Sequence, residues 1–214
     1  MKYTNFLFDL DGTLTDPKIG ITKAVQYALL QKGIIVNDLS KLECFIGPPL
    51  QESFSLYYHM NEVEAWESVA AYREYFKEYG IYENELYEGI TDLLKLLQSK
   101  QYQLFVATSK PTVFAEMIIT YFNLNSYFVG IYGSELDGTR SNKGELIEYI
   151  MEGNQLRHDN TVMIGDRKHD LIGANNNRID SIAVGYGYGS EAELKGENPT
   201  YYYKTIKDFI EAYL

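Results

Sequence analysis

Short apolar runs that alternate with helical patterns constrain the fold of this chain more than any other feature. Runs this short, without alternating polar residues, are typical of strands that are buried on both faces of a sheet. When such strands alternate with helices from about residue 85 onward, the pattern predicts an α/β fold with a parallel sheet. The runs are Phe6–Phe8, Leu104–Ala107, Phe128–Tyr132, Val162–Ile164 and Ile182–Val184.

Helical patterns separate most of these runs. Their apolar residues recur at spacings of three and four, which places them on one face of a helix. A helix is also predicted over Asn142–Gly153, because this segment opens with a capping residue and ends at glycine. The periodic positions are Ile90, Leu93, Leu94 and Leu97, then Phe114, Met117, Ile118 and Tyr121, and finally Ile206, Phe209, Ile210 and Tyr213.

The interval over residues 18–83 breaks this rhythm, because it contains no strand pattern. One helix is predicted around Ile21–Ala28, and a capping box at Asn61 and Glu64 predicts another. We therefore expect a small helical domain inserted directly after the first strand, over residues 17–83. The remaining residues, 1–16 and 84–214, would form the sheet-containing core domain.

Composition narrows the possible partners and compartments. The chain has 214 residues, 45% of them hydrophobic, so it can bury a large core, and its net charge of −11 disfavours nucleic acids and anionic membranes. Cys44 is its single cysteine, which rules out a disulfide framework within the chain and favours a reducing, cytoplasmic location. We expect neither a membrane span nor a signal peptide, because no apolar run is long enough and acids appear early.

Acidic residues end the first apolar run, where charge is costly to bury unless it is paired or bound to a metal. Asp9 and Asp11 follow this predicted strand, and Thr108, Ser109 and Lys110 follow the second. In parallel sheets, ligands bind at the carboxyl ends of the strands, so these groups should converge at one edge. Two further sets join them there by strand order: Lys143 at a helix start, and Asp166 with Asp170 after the fourth strand.

The predicted cluster fits phosphoryl transfer. A carboxylate can attack phosphorus and form an aspartyl-phosphate. It also repels an anionic phosphate, and two like unit charges about 4 Å apart cost about 4 kcal/mol at an effective dielectric constant of about 20. Lys143 would neutralise part of this charge, and the Thr108 hydroxyl would hold phosphoryl oxygens. Carboxylates also suit Mg²⁺, which prefers hard oxygen ligands, and the candidates are Asp9, Asp166 and Asp170.

Asp11 is expected to have a different task from Asp9. It is placed to protonate the leaving oxygen and then to take a proton from the attacking water. That task requires a raised pKa, which nearby negative charge and partial burial would provide. Gly12 would allow the chain to turn tightly after the two acids. Asp16 lies where the chain leaves the core, so we expect a hinge or cap role for it.

These residues carry a family resemblance. The segment DLDGTLTD (Asp9–Asp16) resembles the first motif of the haloacid dehalogenase-like hydrolases, and GDRKHD (Gly165–Asp170) resembles the fourth. Thr108 and Lys143 match the second and third motifs, so all four occur in order along the chain. The resemblance implies a Rossmann-like parallel sheet core with an inserted small α-helical cap domain.

The resemblance also implies a role for each matching residue. Asp9 would be the nucleophile and Asp11 the acid and base. Mg²⁺ would be held by Asp9, the main-chain carbonyl of Asp11 and Asp166, with Asp170 assisting. The implied activity is a Mg²⁺-dependent phosphatase acting on a small phosphorylated metabolite. We expect the chain to be a monomer or homodimer.

The substrate prediction rests on two segments. The loop FIGPPLQESF (Phe45–Phe54) resembles a loop of phosphoglycolate phosphatase-like proteins. Its Pro48–Pro49 doublet and the segment Gly133–Ile147 are similar to a bacterial 5′-nucleotidase-like subgroup. The leading substrates are therefore 2-phosphoglycolate and nucleoside 5′-monophosphates. The expected substrate-binding residues are Gly12, Pro48, Thr108, Ser109 and Lys143.

Alternative interpretations remain open at this stage. A sugar phosphomutase of the β-phosphoglucomutase type shares the core and the aspartyl-phosphate. A signalling receiver domain also gathers acids, a threonine and a lysine, although the helical insertion and Asp11 argue against it. Individually, Thr108 fits a helix N-cap, Asp170 fits an acid in a first helical turn, and Pro48 fits a rigid helix start.

Overall fold

The computed structural model describes residues 2–214, and one of its compact units contains a six-stranded parallel sheet. The sheet strands are β1 (Asn5–Phe8), β4 (Gln103–Pro111), β5 (Gly130–Ser134), β6 (Thr161–Gly165), β7 (Asp180–Val184) and β8 (Tyr201–Tyr203), and two short strands, β2 (Thr15–Asp16) and β3 (Glu85–Leu86), form a separate pair. The strand order in the sheet is β5-β4-β1-β6-β7-β8, and neighbouring strands pair in parallel throughout. The predicted α/β fold is confirmed.

The five predicted strands are all present, with one shift. The strand predicted over Phe128–Tyr132 instead runs from Gly130 to Ser134. A 3₁₀ turn over Asn125–Tyr127 precedes it, and the Phe128 amide donates to the Asn125 carbonyl, which delays entry into the sheet. The sixth strand, at the edge of the sheet, is the tyrosine triplet Tyr201–Tyr203.

Six helices accompany the sheet in sequence. They are α4 (Ile90–Ser99), α5 (Thr112–Tyr121), α6 (Lys143–Gly153), α7 (Lys168–Asn176), α8 (Glu191–Gly196) and α9 (Ile206–Tyr213). One core cluster joins Leu7 of β1, Phe105 of β4 and Met163 of β6 to Ile147 of α6 and Ala174 of α7, and all five residues are buried. Helices α6 and α7 therefore pack on the face of the sheet to which these three strand side chains point.

A second compact unit, Pro17–Glu85, is separate from the unit that contains the sheet. It consists of α1 (Lys18–Gln31), α2 (Leu50–Tyr58) and α3 (Glu62–Tyr75), with a 3₁₀ segment before α2 and a π-helical turn after α3. The capping box predicted at Asn61 and Glu64 is confirmed, because each side chain bonds the other residue's backbone amide. The assignment of the two units as a catalytic core and a cap remains a prediction.

The strand order places the predicted site. When the six sheet strands are numbered along the chain, their order is 3-2-1-4-5-6, so the direction in which strands are added reverses between β1 and β6. In open α/β sheets a crevice forms at this point, outside the carboxyl ends of the strands.

Within residues 2–214, no helix has the length and apolar character needed to cross a membrane. The cytoplasmic location and the oligomeric state remain predictions.

Candidate active site

Polar residues from five elements meet at the carboxyl edge of the sheet. Asp9 and Asp11 follow β1, and Thr108 lies near the end of β4. Asp166 follows β6, while Lys143 begins α6 and Asp170 lies in the first turn of α7. All six residues are buried, with at most 7% of each exposed.

Lys143 lies between two carboxylates of this cluster, those of Asp9 and Asp170. Its ammonium group donates to Asp9 Oδ1 at 2.9 Å and to the Ala107 carbonyl at 2.8 Å, and it lies 2.8 Å from Asp170 Oδ1. Two of its three N–H groups therefore donate hydrogen bonds, whereas its contact with Asp170 is an ion pair. Burial opposes the charged form, but Asp170 and Asp9 outweigh it and raise the pKa of Lys143 above its ordinary value. Lys143 is therefore a fixed cation beside Asp9.

Asp166 is held by two donors from different loops. Thr13 Oγ1 donates to its Oδ1 at 3.1 Å, and the Tyr188 amide donates to its Oδ2 at 2.8 Å. Burial, together with the charges of Asp9 and Asp170, raises the pKa of Asp166 well above its ordinary value. A cation that approached this carboxylate would favour its charged form.

Asp170 contacts both the backbone of its own helix and Lys143 of the site. Its Oδ2 accepts from the Arg167 amide at 3.1 Å and so caps α7, as an acid in a first turn should. Its Oδ1 faces Lys143. Burial raises the pKa of Asp170 to about 6, although Lys143 opposes the shift and Asp9 adds to it. The capping and the site interpretations of Asp170 are therefore compatible.

Asp11 is paired with a second buried lysine. Lys110 Nζ lies 2.8 Å from Asp11 Oδ2, and the two side chains are 6% and 10% exposed. Asp11 Oδ1 is buried and has no hydrogen-bond partner among residues 2–214. Burial raises the pKa of Asp11, Lys110 lowers it and Asp9 raises it, so the net direction is upward. A raised pKa is what an acid and base at this position requires.

The remaining predicted substrate contacts of the first unit lie around the same edge. Thr108 Oγ1 accepts from the Lys110 amide at 3.2 Å, and α5 begins only at Thr112, so Thr108 is not its N-cap. The Ser109 carbonyl accepts from the Ser134 hydroxyl at 2.9 Å. Gly12 has a φ of +84°, and its amide donates to the Thr15 carbonyl at 2.8 Å. The roles of these residues toward a substrate remain predictions.

Two other residues from the sequence analysis lie outside this cluster. Pro48 belongs to the second unit and immediately precedes Pro49, the N-cap of α2, so the doublet does open a helix. Asp16 ends β2, the last element before the second unit, and its Oδ1 accepts from the Tyr188 hydroxyl. A substrate role for Pro48 and a hinge role for Asp16 remain predictions.

The charges and donor atoms of the cluster fit a divalent metal ion. Each of Asp9, Asp166 and Asp170 offers a carboxylate oxygen, and these oxygens lie within 4.8 Å of one another. Such oxygens are the ligands that Mg²⁺ prefers. The cluster contains two more carboxylates than ammonium groups, so a divalent cation would balance it; its charged members are Asp9, Asp11, Asp166 and Asp170 against Lys110 and Lys143.

The strand pattern predicts Lys110 at this sheet edge but not its pairing with Asp11. It does not predict the contribution of Tyr188. Tyr188 lies in the loop GYGYGS (Gly185–Ser190), which follows β7 at the same edge of the sheet. Applying the strand-end rule to β7 would have found this loop.

Comparisons with known proteins agree with this arrangement. The family described as "Haloacid dehalogenase-like hydrolase" matches residues 6–184. A 5′-nucleotidase of Pseudomonas aeruginosa is 52% identical, over 94% of this chain and 91% of its own length. A tyrosine-protein kinase of Mycobacterium tuberculosis, PtkA, is 35% identical over 86% of this chain and 62% of its own length. A crystal structure of a predicted phosphatase from Clostridium acetobutylicum superposes with a TM-score of 0.97 at 46% identity, covering 99% of this chain and 98% of that one.

Proposed function

Because the chain belongs to the haloacid dehalogenase-like hydrolase family, we propose that it is a Mg²⁺-dependent phosphatase whose leading substrate is a nucleoside 5′-monophosphate. The predictions of the family and of the enzyme class, a phosphatase, are confirmed. The metal, the substrate and the role of each residue are proposals.

The observation that carries the proposal is the position of Lys143 between Asp9 and Asp170. A buried carboxylate can approach an anionic phosphate only where fixed positive charge offsets the repulsion. Lys143 supplies one such charge, and its hydrogen bond to the Ala107 carbonyl fixes its direction. In a site that is preorganised in this way, the free-energy cost of orienting the charges is offset during folding, before any substrate binds.

In the first half-reaction, Asp9 attacks the phosphorus atom of the ester. A bond forms between an Asp9 carboxylate oxygen and phosphorus, while the bond from phosphorus to the ester oxygen breaks. The electron pair leaves on the ester oxygen, and Asp11 donates a proton to it, so a neutral alcohol departs. Lys143 holds the nucleophile in place through its contact with Asp9 Oδ1, and Thr108 holds a phosphoryl oxygen.

In the second half-reaction, water attacks the aspartyl-phosphate. Asp11, now deprotonated, accepts a proton from this water as the new oxygen–phosphorus bond forms. The bond between phosphorus and Asp9 then breaks, which releases inorganic phosphate and restores the carboxylate. One residue therefore acts as the acid in one step and the base in the other.

Mg²⁺ would be held by Asp9, the Asp11 main-chain carbonyl and Asp166, with Asp170 assisting. When bound, it would neutralise charge on the cluster and on the transferring phosphoryl group. The oxygen donors and the excess of negative charge described above support this assignment.

The choice of a nucleotide rests on the 5′-nucleotidase relative, which is 52% identical over nearly the whole chain. We propose that the second unit acts as the cap that recognises the leaving group, with Pro48 among its substrate-binding residues. The alternative substrate, 2-phosphoglycolate, rests on the resemblance of the loop Phe45–Phe54.

The test is release of inorganic phosphate from AMP, GMP, UMP, 2-phosphoglycolate and β-glucose 1-phosphate, with Mg²⁺ or with EDTA. We expect the fastest release from a nucleotide, no release in EDTA, and no release by a folded Asp9→Asn variant, because an amide is a poor nucleophile.

Three results would contradict parts of this proposal. Faster release from 2-phosphoglycolate would replace the substrate, and isomerisation of the sugar phosphate without release would replace phosphatase with mutase. Substantial turnover by Asp9→Asn would remove the nucleophile assignment.

A further inference from the structure

A buried ion pair joins Lys110 to Asp11, outside the pairing that holds the nucleophile. Lys110 Nζ lies 2.8 Å from Asp11 Oδ2, and both side chains are at least nine-tenths buried. Lys143, the other buried lysine of the site, contacts Asp9 and Asp170 instead. The two acids that follow β1 therefore each have their own lysine.

An irregularity in β4 puts Lys110 in this position. In the pairing of β4 with β5, Ala107 is opposite Tyr132 and Pro111 is opposite Ser134, so four residue steps on β4 match two on β5. Extra residues in one strand form a bulge, which redirects side chains and is frequent next to active sites. Thr108 and Lys110 both lie within this bulge, and the Lys110 amide donates to Thr108 Oγ1 at 3.2 Å.

The two oxygens of Asp11 have different surroundings. Oδ2 faces Lys110, whereas Oδ1 is buried without a hydrogen-bond partner among the described residues. A buried carboxylate oxygen without a partner is unfavourable, so such an atom indicates a group that arrives later. In the proposed reaction, that group is the leaving oxygen or the attacking water.

We propose that Lys110 is a positioning residue for proton transfer, which holds Asp11 by Oδ2 so that Oδ1 points at the leaving oxygen. This inference rests on the proposed function, because it takes Asp11 as the acid and base. Lys110 acts through Asp11 and does not itself touch the reacting atoms. This role does not require Lys110 to contact the phosphoryl group, because Lys143 and Thr108 are the residues proposed to stabilise that group.

The role predicts a dependence on the leaving group. An alkoxide such as the 5′-oxygen of AMP leaves poorly without a proton, whereas p-nitrophenolate leaves readily without one. Loss of Lys110 should therefore slow the transfer from AMP far more than the transfer from p-nitrophenyl phosphate. A lysine that served only the stability of the fold would slow both equally.

The experiment measures single-turnover release of adenosine and of p-nitrophenol with Mg²⁺ present, which isolates the first half-reaction. In Lys110→Met we expect the AMP rate to fall about a hundredfold and the p-nitrophenyl phosphate rate to fall less than about fivefold. Lys110→Arg, which keeps the charge, should recover a measurable part of the AMP rate. Lys207→Met, at an exposed lysine of α9, is the matched control and should behave as wild type.

A double variant keeps the test decisive if Lys110→Met folds poorly, since that change leaves a buried carboxylate uncompensated. Lys110→Met with Asp11→Asn removes both charges together. We expect its AMP rate to equal that of Asp11→Asn alone, because Lys110 acts only through Asp11.

The outcomes separate this inference from the proposed function. Equal losses on both esters in Lys110→Met, no loss on AMP, or a double variant at least tenfold slower than Asp11→Asn would each overturn the positioning role. A wild-type protein that releases neither adenosine nor p-nitrophenol would overturn the proposed function, and the role of Lys110 with it.

Discussion

Lys143 Nζ lies 2.8 Å from Asp170 Oδ1, and the two side chains are 4% and 2% exposed. Asp9 lies 2.9 Å from the same ammonium group, so one buried cation holds two carboxylates that would otherwise repel each other. Removing one partner of a buried pair usually costs about 3–5 kcal/mol, because the remaining charge is left uncompensated.

Lys143→Met should therefore lower both stability and activity. We expect a loss of about 3–5 kcal/mol in the free energy of unfolding, measured by urea titration in EDTA. Phosphate release should fall about a hundredfold or more, because the nucleophile loses its fixed cation. Lys143→Met combined with Asp170→Asn should recover part of the stability and none of the activity. A single variant that unfolds like wild type would show that the pair is not important for stability.

Asp170 should make the stability of the metal-free protein depend on pH. Its pKa is raised from an ordinary 3.8 to about 6, chiefly by burial. Between these values the folded protein keeps a proton that the unfolded chain has lost. The contribution of Asp170 to stability is thus fully present below pH 3.8 and is lost as the pH rises through about 6.

The measurement compares the free energy of unfolding of wild type and Asp170→Asn in EDTA, from about pH 4 to about pH 7. Because the amide neither titrates nor carries charge, the difference between the two proteins reports the titration of Asp170 together with its effect on the pKa of Asp166. We expect the wild type to lose stability relative to the variant as the pH rises. A constant difference, or one of the opposite sign, would contradict the raised pKa.

Mg²⁺ should stabilise the protein through the acidic cluster. At a hundredfold excess over its dissociation constant, a ligand that binds only the folded state adds about 2.7 kcal/mol. We expect Mg²⁺ to raise the melting temperature of the wild type and to have little effect on Asp166→Asn, which loses a charged oxygen donor. Asp137→Asn changes an exposed loop acid outside the cluster and should respond as wild type. Equal responses of all three proteins would remove the metal assignment.

Gly12 is needed for a close approach as well as for a turn. Its φ is +84°, and a Cβ placed there would lie 2.2 Å from Asp166 Oδ2. Gly12→Ala should destabilise the protein by about 2 kcal/mol or more and should weaken the response to Mg²⁺, because Asp166 must move. Gly153→Ala, at the end of α6, is the matched control, since a Cβ there meets nothing within 4 Å. If both variants unfold alike, the close approach has no energetic effect.

The sequence predicts the sheet and the meeting of the acids better than it predicts the contacts around them. Short apolar runs fix which segments are strands, and strand order brings Asp9 and Asp166 to one edge. The pairing of Lys110 with Asp11 depends on the bulge in β4, which leaves no periodic signal in the sequence. The same holds for Tyr188, whose partners Asp16 and Asp166 are 172 and 22 residues away in the chain.

The loop Gly185–Ser190 provides a last test, because its backbone and its side chains contact different acids. The Tyr188 amide donates to Asp166, whereas the Tyr188 hydroxyl donates to Asp16. Tyr188→Phe should therefore cost about 1–3 kcal/mol of stability and leave the response of the melting temperature to Mg²⁺ intact. Gly187→Ala should reduce that response, because its Cβ would lie 2.3 Å from the Gly12 carbonyl and 2.4 Å from Asp166 Cβ. Loss of the Mg²⁺ response in Tyr188→Phe but not in Gly187→Ala would show that the hydroxyl, and not the backbone, holds the metal-binding acid in place.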